Sequence, residues 1–251
     1  MRPGQPVRDY DEAPYPGRRP VGSWVIDPDQ RLFPVHPDAT AASGWSVSGG
    51  HGSRRWCLDE WLVEHGGAAM SQRFPVLSYG SNANPQKVVR NGVSLPAVSL
   101  ACVVEDLAAV WCRDTRGVER MPATLVAWPG NREHHALSYV GQQDLIPLDL
   151  VEGRAAGWYR LVRLTAGRVV REDARVPERV LSYVGSRADR RPLLDADRRP
   201  VRLSELGHAQ ALRAVHRQGY TTGSEPDLGP VITPTGTISG LPSGPDAEPG
   251  P

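Results

Sequence analysis

The stretch Val76-Leu77-Ser78-Tyr79-Gly80-Ser81-Asn82 runs an apolar strand into a glycine turn, and Asn84-Pro85 then opens a segment suited to a helix. A strand–turn–helix junction exposes successive backbone N–H groups. Such a concavity holds an anion or a developing oxyanion well. The same residues also suit a plain tight turn, where glycine only lets the chain bend sharply. Ser81 has no base near it in sequence, and no Ser–His–Asp or Cys–His pattern points to covalent catalysis. Metal chemistry finds no ligand set. His134 and His135 are adjacent, so on a strand they face opposite sides, and His51 and His65 flank Cys57 at no zinc spacing. Cys57, Cys102 and Cys112 are odd in number and lack a CxxC pair, as expected of reduced thiols.

The elements that must position these groups come from periodicity. Before the turn, residues 23–72 predict an N-terminal extension. It holds a hairpin around Asp27-Pro28-Asp29-Gln30, a Gly/Ser-rich loop over 41–53, and a short helix whose Leu58, Trp61, Leu62 and His65 share a face. Trp45, Trp56 and Trp61 are expected to pack between this extension and the main body. That body, 73–222, predicts strands at 74–78, 100–104, 108–112, 123–128 and 135–140. A short helix follows over 142–151, then β-rich runs at 158–164, 168–172 and 179–184. Last comes a helix over 202–218, with Ser204 as its N-cap and Gly219 as its stop. Strands dominate, so the class is α+β: a small mixed β-barrel or sheet with peripheral helices. Residues 1–22 form a Pro-, Gly- and charge-rich arm and 223–251 a Pro/Gly-rich tail, and both are expected to be disordered.

Composition excludes several classes. The net charge of +1 gives no general grip on nucleic acid or an anionic membrane. No apolar run approaches the ~20 residues that span a bilayer. No secretory h-region begins the chain, so a cytoplasmic protein is expected. Lys87 is the one lysine among 29 basic residues, a bias of the kind high-GC coding produces.

Strand-YGSN near the start of a domain resembles the γ-glutamylcyclotransferase superfamily. Further similarities follow in the family's order. Pro122-Ala123-Thr124-Leu125-Val126 and Leu137-Ser138-Tyr139 resemble its next two strands. Asp144-Leu145-Ile146-Pro147-Leu148-Asp149-Leu150-Val151-Glu152-Gly153 resembles its LDxxEG segment. Gly157-Trp158-Tyr159 and Arg179-Val180-Leu181-Ser182-Tyr183 resemble strands that place tyrosines. The resemblance spans about 74–220. It departs at His134-His135-Ala136, where the family has a glycine, and it leaves the first 70 residues without a counterpart.

The resemblance implies a cyclotransferase that converts a γ-glutamyl amine or peptide to 5-oxoproline and free amine. It needs no metal or organic cofactor, and its one implied partner is the small-molecule γ-glutamyl substrate. Glu152 takes the family's general acid/base position. Leu77, Ser78, Tyr79, Gly80, Ser81, Asn82, Tyr159 and Tyr183 take the substrate-binding ones, and Asp149 a supporting one. Glu152 is then expected to lie partly buried beside the 79–82 loop with a raised pKa. Two other readings stay open. One is a non-catalytic binding or interaction module whose long, Trp-rich N-terminal region fills the pocket. The other is an amide- or acyl-transfer enzyme using the same loop. Should N-terminal residues stand in the loop's mouth, specificity lies with them.

Overall fold

The computed structural model describes residues 1–49, 55–113 and 121–233. His51, with the end of the Gly/Ser-rich stretch at 50–53, residues 114–120 and the tail beyond 233 lie outside them. The strands in chain order are β1 (Gln5–Pro6), β2 (Ser23–Ile26), β3 (Arg31–Pro37), β4 (Trp45–Ser48), β5 (Arg55–Cys57), β6 (Phe74–Ser78) and β7 (Ala97–Trp111). They continue as β8 (Ala123–Val140), β9 (Tyr159–Arg163), β10 (Arg168–Arg171), β11 (Leu181–Gly185), β12 (Leu193–Leu194) and β13 (Thr221–Thr222). The α-helices are short: α1 (Leu58–Glu64), α2 (Pro85–Arg90), α3 (Leu145–Val151) and α4 (His208–Ala214).

Among the described residues an 11-stranded sheet runs in the order β5-β4-β3-β2-β7-β8-β6-β11-β9, with β1 added on β3 and β10 on β7. This is an α+β architecture with one large mixed sheet. Strands β6 and β11 pair in parallel, Val76 opposite Leu181 and Leu77 opposite Ser182, so both point their carboxyl ends the same way. Alternation along β6 serves two cores. Leu77 faces the cluster of Val25, Trp45, Leu58, Leu62, Leu100 and Leu137, whereas Phe74 and Val76 face that of Trp24, Ile26, Leu145, Leu161 and Leu181. Each fully buried Leu or Ile contributes roughly 1.5–3 kcal/mol of hydrophobic stabilisation. Trp45 and Trp61 are buried in the first cluster and Trp56 packs against it.

The structure departs from expectation in five places. The runs 100–104 and 108–112 are one strand, β7, and 123–128 and 135–140 are one strand, β8. Glu105-Asp106 breaks the apolar pattern because the pair carries a bulge there. Asp106 adopts a left-handed φ of 61°, and its Oδ1 accepts from Gly130 N–H at 2.7 Å. The last helix is only α4, and Ser204 does not cap it. Leu203 N–H donates to Ala109 carbonyl, Trp111 N–H to Val201 carbonyl and Trp111 Nε1–H to Leu206 carbonyl, so the end of β7 holds 201–206 in non-helical form.

The arm 1–22 is ordered rather than disordered. Val7 and Tyr10 are buried, and the arm's backbone groups find partners on the main body. Its composition could not sustain a core of its own, but it borrows one. Residues 223–233 of the expected tail are likewise packed. Leu228 is buried, and its carbonyl accepts from Thr165 N–H at 2.9 Å.

Candidate active site

Strand β6 ends at Ser78 and the chain turns through Tyr79–Asn82 into α2. Asn84 caps that helix, its Oδ1 accepting from Lys87 N–H at 2.9 Å, and Pro85 supplies a preset φ at the first helical position. The turn itself sits against Glu152. Asn82 Nδ2 donates to Glu152 Oε1 at 2.6 Å, and Asn91 Nδ2 donates to Asn82 Oδ1 at 3.1 Å. The second bond fixes which face of the Asn82 amide meets the carboxylate.

Glu152 is delivered by the end of α3. Pro147 lies in the first turn, where its missing N–H costs nothing, so the helix forms despite it. Gly153 follows in left-handed conformation, φ 60°, and lets the helix stop. A side chain there would also collide with Trp158, since a Cβ would come 2.5 Å from the indole. Trp158 thus backs the turn that carries Glu152. Burial pushes the Glu152 carboxyl above its ordinary pKa. The Asn82 hydrogen bond and the charges of Lys87 and Arg190 oppose that rise, and Asp149 adds to it.

The tyrosines divide their duties. Tyr79 points inward, and its hydroxyl donates to Tyr183 carbonyl at 2.6 Å, linking the turn to β11. Tyr159 donates to Ala123 carbonyl at 2.8 Å. Tyr183 donates to Asp149 Oδ1 at 2.7 Å, while Arg154 Nη1 pairs with Asp149 Oδ2 at 2.7 Å. Asp149 therefore braces α3 against β11. Ser78 Oγ hydrogen-bonds Ser138 Oγ at 2.9 Å, and Leu77 is buried.

All nine expected positions, from Leu77 to Asn82 together with Glu152, Tyr159 and Tyr183, line one cavity of about 1110 Å³. Sequence reasoning missed other members of its wall. Lys87 and Arg90 come from α2 and Arg190 from the turn after β11. Trp158, Met121 and His208 complete it. Arg190 is buried, with its guanidinium 5.2 Å over the Trp158 ring. Lys87, Arg90 and Arg190 bring positive charge to the wall, with Arg90 paired to Glu12 and Arg190 to Asp189. Lys87, the single lysine, two residues after Pro85 of the Asn-Pro cap, was the signal available in sequence.

The arm enters the same cavity. Tyr15 stands over the turn, its phenol oxygen above Gly80. A Cβ on Gly80 would lie 2.4 Å from that oxygen, so glycine is required here by the phenol's approach. Arg19 Nη2 donates to Tyr79 carbonyl at 2.9 Å. Asn84 Nδ2 faces the carbonyls of Tyr10, Asp11 and Arg18 at 3.1, 3.0 and 2.8 Å. Arg90 pairs with Glu12 at 2.5 Å.

The groups set aside in sequence stay apart from the cavity's chemistry. His135 Nε2 meets Glu133 Oε2 at 3.0 Å on the far half of β8, and His65 stacks on Trp61 with centroids 3.8 Å apart. Among the described residues no cluster of metal-ligating side chains occurs, and no helix is long and apolar enough to cross a membrane.

No family model and no curated protein matches this sequence. Among solved structures the chain is similar to one described as gamma-glutamyl cyclotransferase, at 17% identity and a TM-score of 0.39, over 45% of this chain and 67% of that one. It is similar to an uncharacterized protein from Homo sapiens at 17% identity and a TM-score of 0.40, over 46% and 68%. It is also similar to YkqA from Bacillus subtilis at 18% identity and a TM-score of 0.36, over 45% and 40%.

Proposed function

We propose that the chain is a γ-glutamylcyclotransferase-like enzyme, releasing 5-oxoproline and a free amine from a γ-glutamyl amine or peptide. The observation that carries the reading is the Glu152 carboxyl, raised in pKa by burial and held at 2.6 Å by Asn82, in a cavity rimmed by a turn rich in backbone amides. In this reading Glu152 takes a proton from the substrate's α-ammonium. The freed nitrogen attacks the γ-carbonyl carbon, and a new C–N bond closes the five-membered ring. The C–N bond to the leaving amine then breaks as Glu152 returns its proton to that nitrogen, and the second proton of the new ring nitrogen passes through solvent to the departing amine, which leaves as an ammonium. The attack is intramolecular, so holding the glutamyl chain folded removes several kcal/mol of entropic barrier. Lys87 and Arg190 supply positive charge for the substrate's carboxylate. A panel of γ-glutamyl amides incubated with the protein should yield 5-oxoproline, and Glu152→Gln should abolish it. No product from any member would refute the reading.

A second reading has its own observation. The Tyr15 phenol already sits over Gly80 in the cavity, as a binding module with a filled pocket would require. Under that reading the wild type releases no product while the folded chain still binds an anionic partner.

A further inference from the structure

The N-terminal arm lies across the turn that carries the substrate-facing amides, and its attachments are those of a permanent wall. Asn84, fully buried, gathers three of its carbonyls, Arg19 grips Tyr79 carbonyl, and Glu12 pairs with Arg90. Behind Tyr15 stand Trp111, with centroids 5.6 Å away, and His208, at 6.1 Å. His208 Nε2 accepts from Met121 N–H at 3.1 Å, and burial lowers its pKa, so the aromatic backing is uncharged.

A phenol carries both an acceptor oxygen and an O–H to donate. The Tyr15 oxygen occupies the space above Gly80 that a reacting carbonyl would otherwise take. We infer that Tyr15 is a catalytic residue supplied by the arm: its O–H, held over Gly80 in the cavity that Glu152 lines, donates to the substrate oxygen on which negative charge develops. The inference rests on the cyclotransferase reading of the site. Burial and the nearby Glu152 charge hold the phenol's pKa well above its usual value, so it keeps its proton while donating. The substrate's γ-carbonyl then sits one phenol outward from the turn, between Tyr15 and Glu152. The specificity of the site therefore belongs partly to residues 12–15, which make this wall of the cavity.

The experiment compares wild type, Tyr15→Phe and Tyr15→Ala on L-γ-glutamyl-L-alanine, following 5-oxoproline, with melting temperatures recorded for each. Tyr15→Phe keeps the ring against Trp111 and removes only the O–H. It should lower kcat by about 10²–10³-fold with KM little changed and no loss of fold. Equal or faster turnover by Tyr15→Phe overturns the inference and leaves the cyclotransferase reading intact. So does an inactive wild type whose Tyr15→Ala variant becomes active, since Tyr15 then fills the site. Should no protein release 5-oxoproline, the cyclotransferase reading fails, and calorimetric titration with L-glutamate decides the contact. Binding weakened at least tenfold by Tyr15→Phe retains the hydrogen bond, and unchanged or absent binding removes it.

Discussion

Asn84 holds together two features that look independent, a helix cap and the arm. Its Oδ1 accepts the Lys87 N–H, and its two amide hydrogens serve three arm carbonyls. Replacing it by alanine removes the cap, worth about 1 kcal/mol. It also strips buried carbonyls of two donated hydrogens, worth about 1–3 kcal/mol together. Asn84→Ala should therefore cost about 2–4 kcal/mol, a fall in melting temperature of roughly 5–15 °C for a chain of this size. Asn84→Asp separates the contributions. The cap oxygen remains, but a carboxylate then faces three carbonyl oxygens, so the loss should be at least that of alanine. Urea unfolding measures the total. Hydrogen exchange reports the arm, where Gly17 N–H bonds Pro14 carbonyl and Arg18 N–H bonds Asp11 carbonyl, each at 2.8 Å. An Asn84→Asp protein within about 0.5 kcal/mol of wild type, with those amides still protected, would refute the role given to Asn84.

Other outcomes concern the carboxylate and its turn. Glu152→Gln should lower kcat/KM by about 10²–10⁴-fold. The fold favours the neutral form of Glu152, so stability drawn from it is greatest at acid pH and is lost as pH rises through its raised pKa. The Gln variant should thus melt no lower than wild type at neutral pH, and a lower melting temperature counts against a desolvated carboxylate. In wild type kcat/KM should climb with pH through a midpoint above the ordinary glutamate value. Asn82→Ala should move that midpoint upward, because the lost hydrogen bond favours the charged form; a downward move in the pH–rate profile contradicts this. Gly153→Ala meets both the left-handed φ and the Trp158 ring, so it should cost about 2–4 kcal/mol by urea titration and depress turnover with it.

Sequence legibility followed the range of the forces involved. Strand β6, the hairpin of β2 and β3, helix α1 and the short helix before Glu152 were readable, because their periodicity and turn residues are local. The Glu152 pairing with Asn82 was expected only through resemblance to a family, since nothing in the spacing of residues 82 and 152 shows that they meet. The bulge at Asp106 hid the continuity of β7. Its left-handed residue and the Glu105-Asp106 pair look like a turn until the partner strand is known. The arm was misread for a deeper reason. Composition measures whether a segment can bury its own surface, and this one is ordered by Asn84, Tyr79 and Arg90, which sit sixty or more residues away. Tyr15 could not be found without them.

The wall formed by Tyr15 and Arg19 also has a history in time. Arg19 meets Tyr79 across 60 residues, and Tyr79 reaches Tyr183 across 104. A ribosome adding roughly 5–20 residues per second makes the arm on the order of ten seconds before β11 exists. During that wait the arm has little apolar surface to misplace, and its prolines and arginines resist pairing with nascent strand edges. The cavity is thus enclosed only once the chain through β11 has been made, although the groups that anchor the arm, up to Arg90, come much earlier.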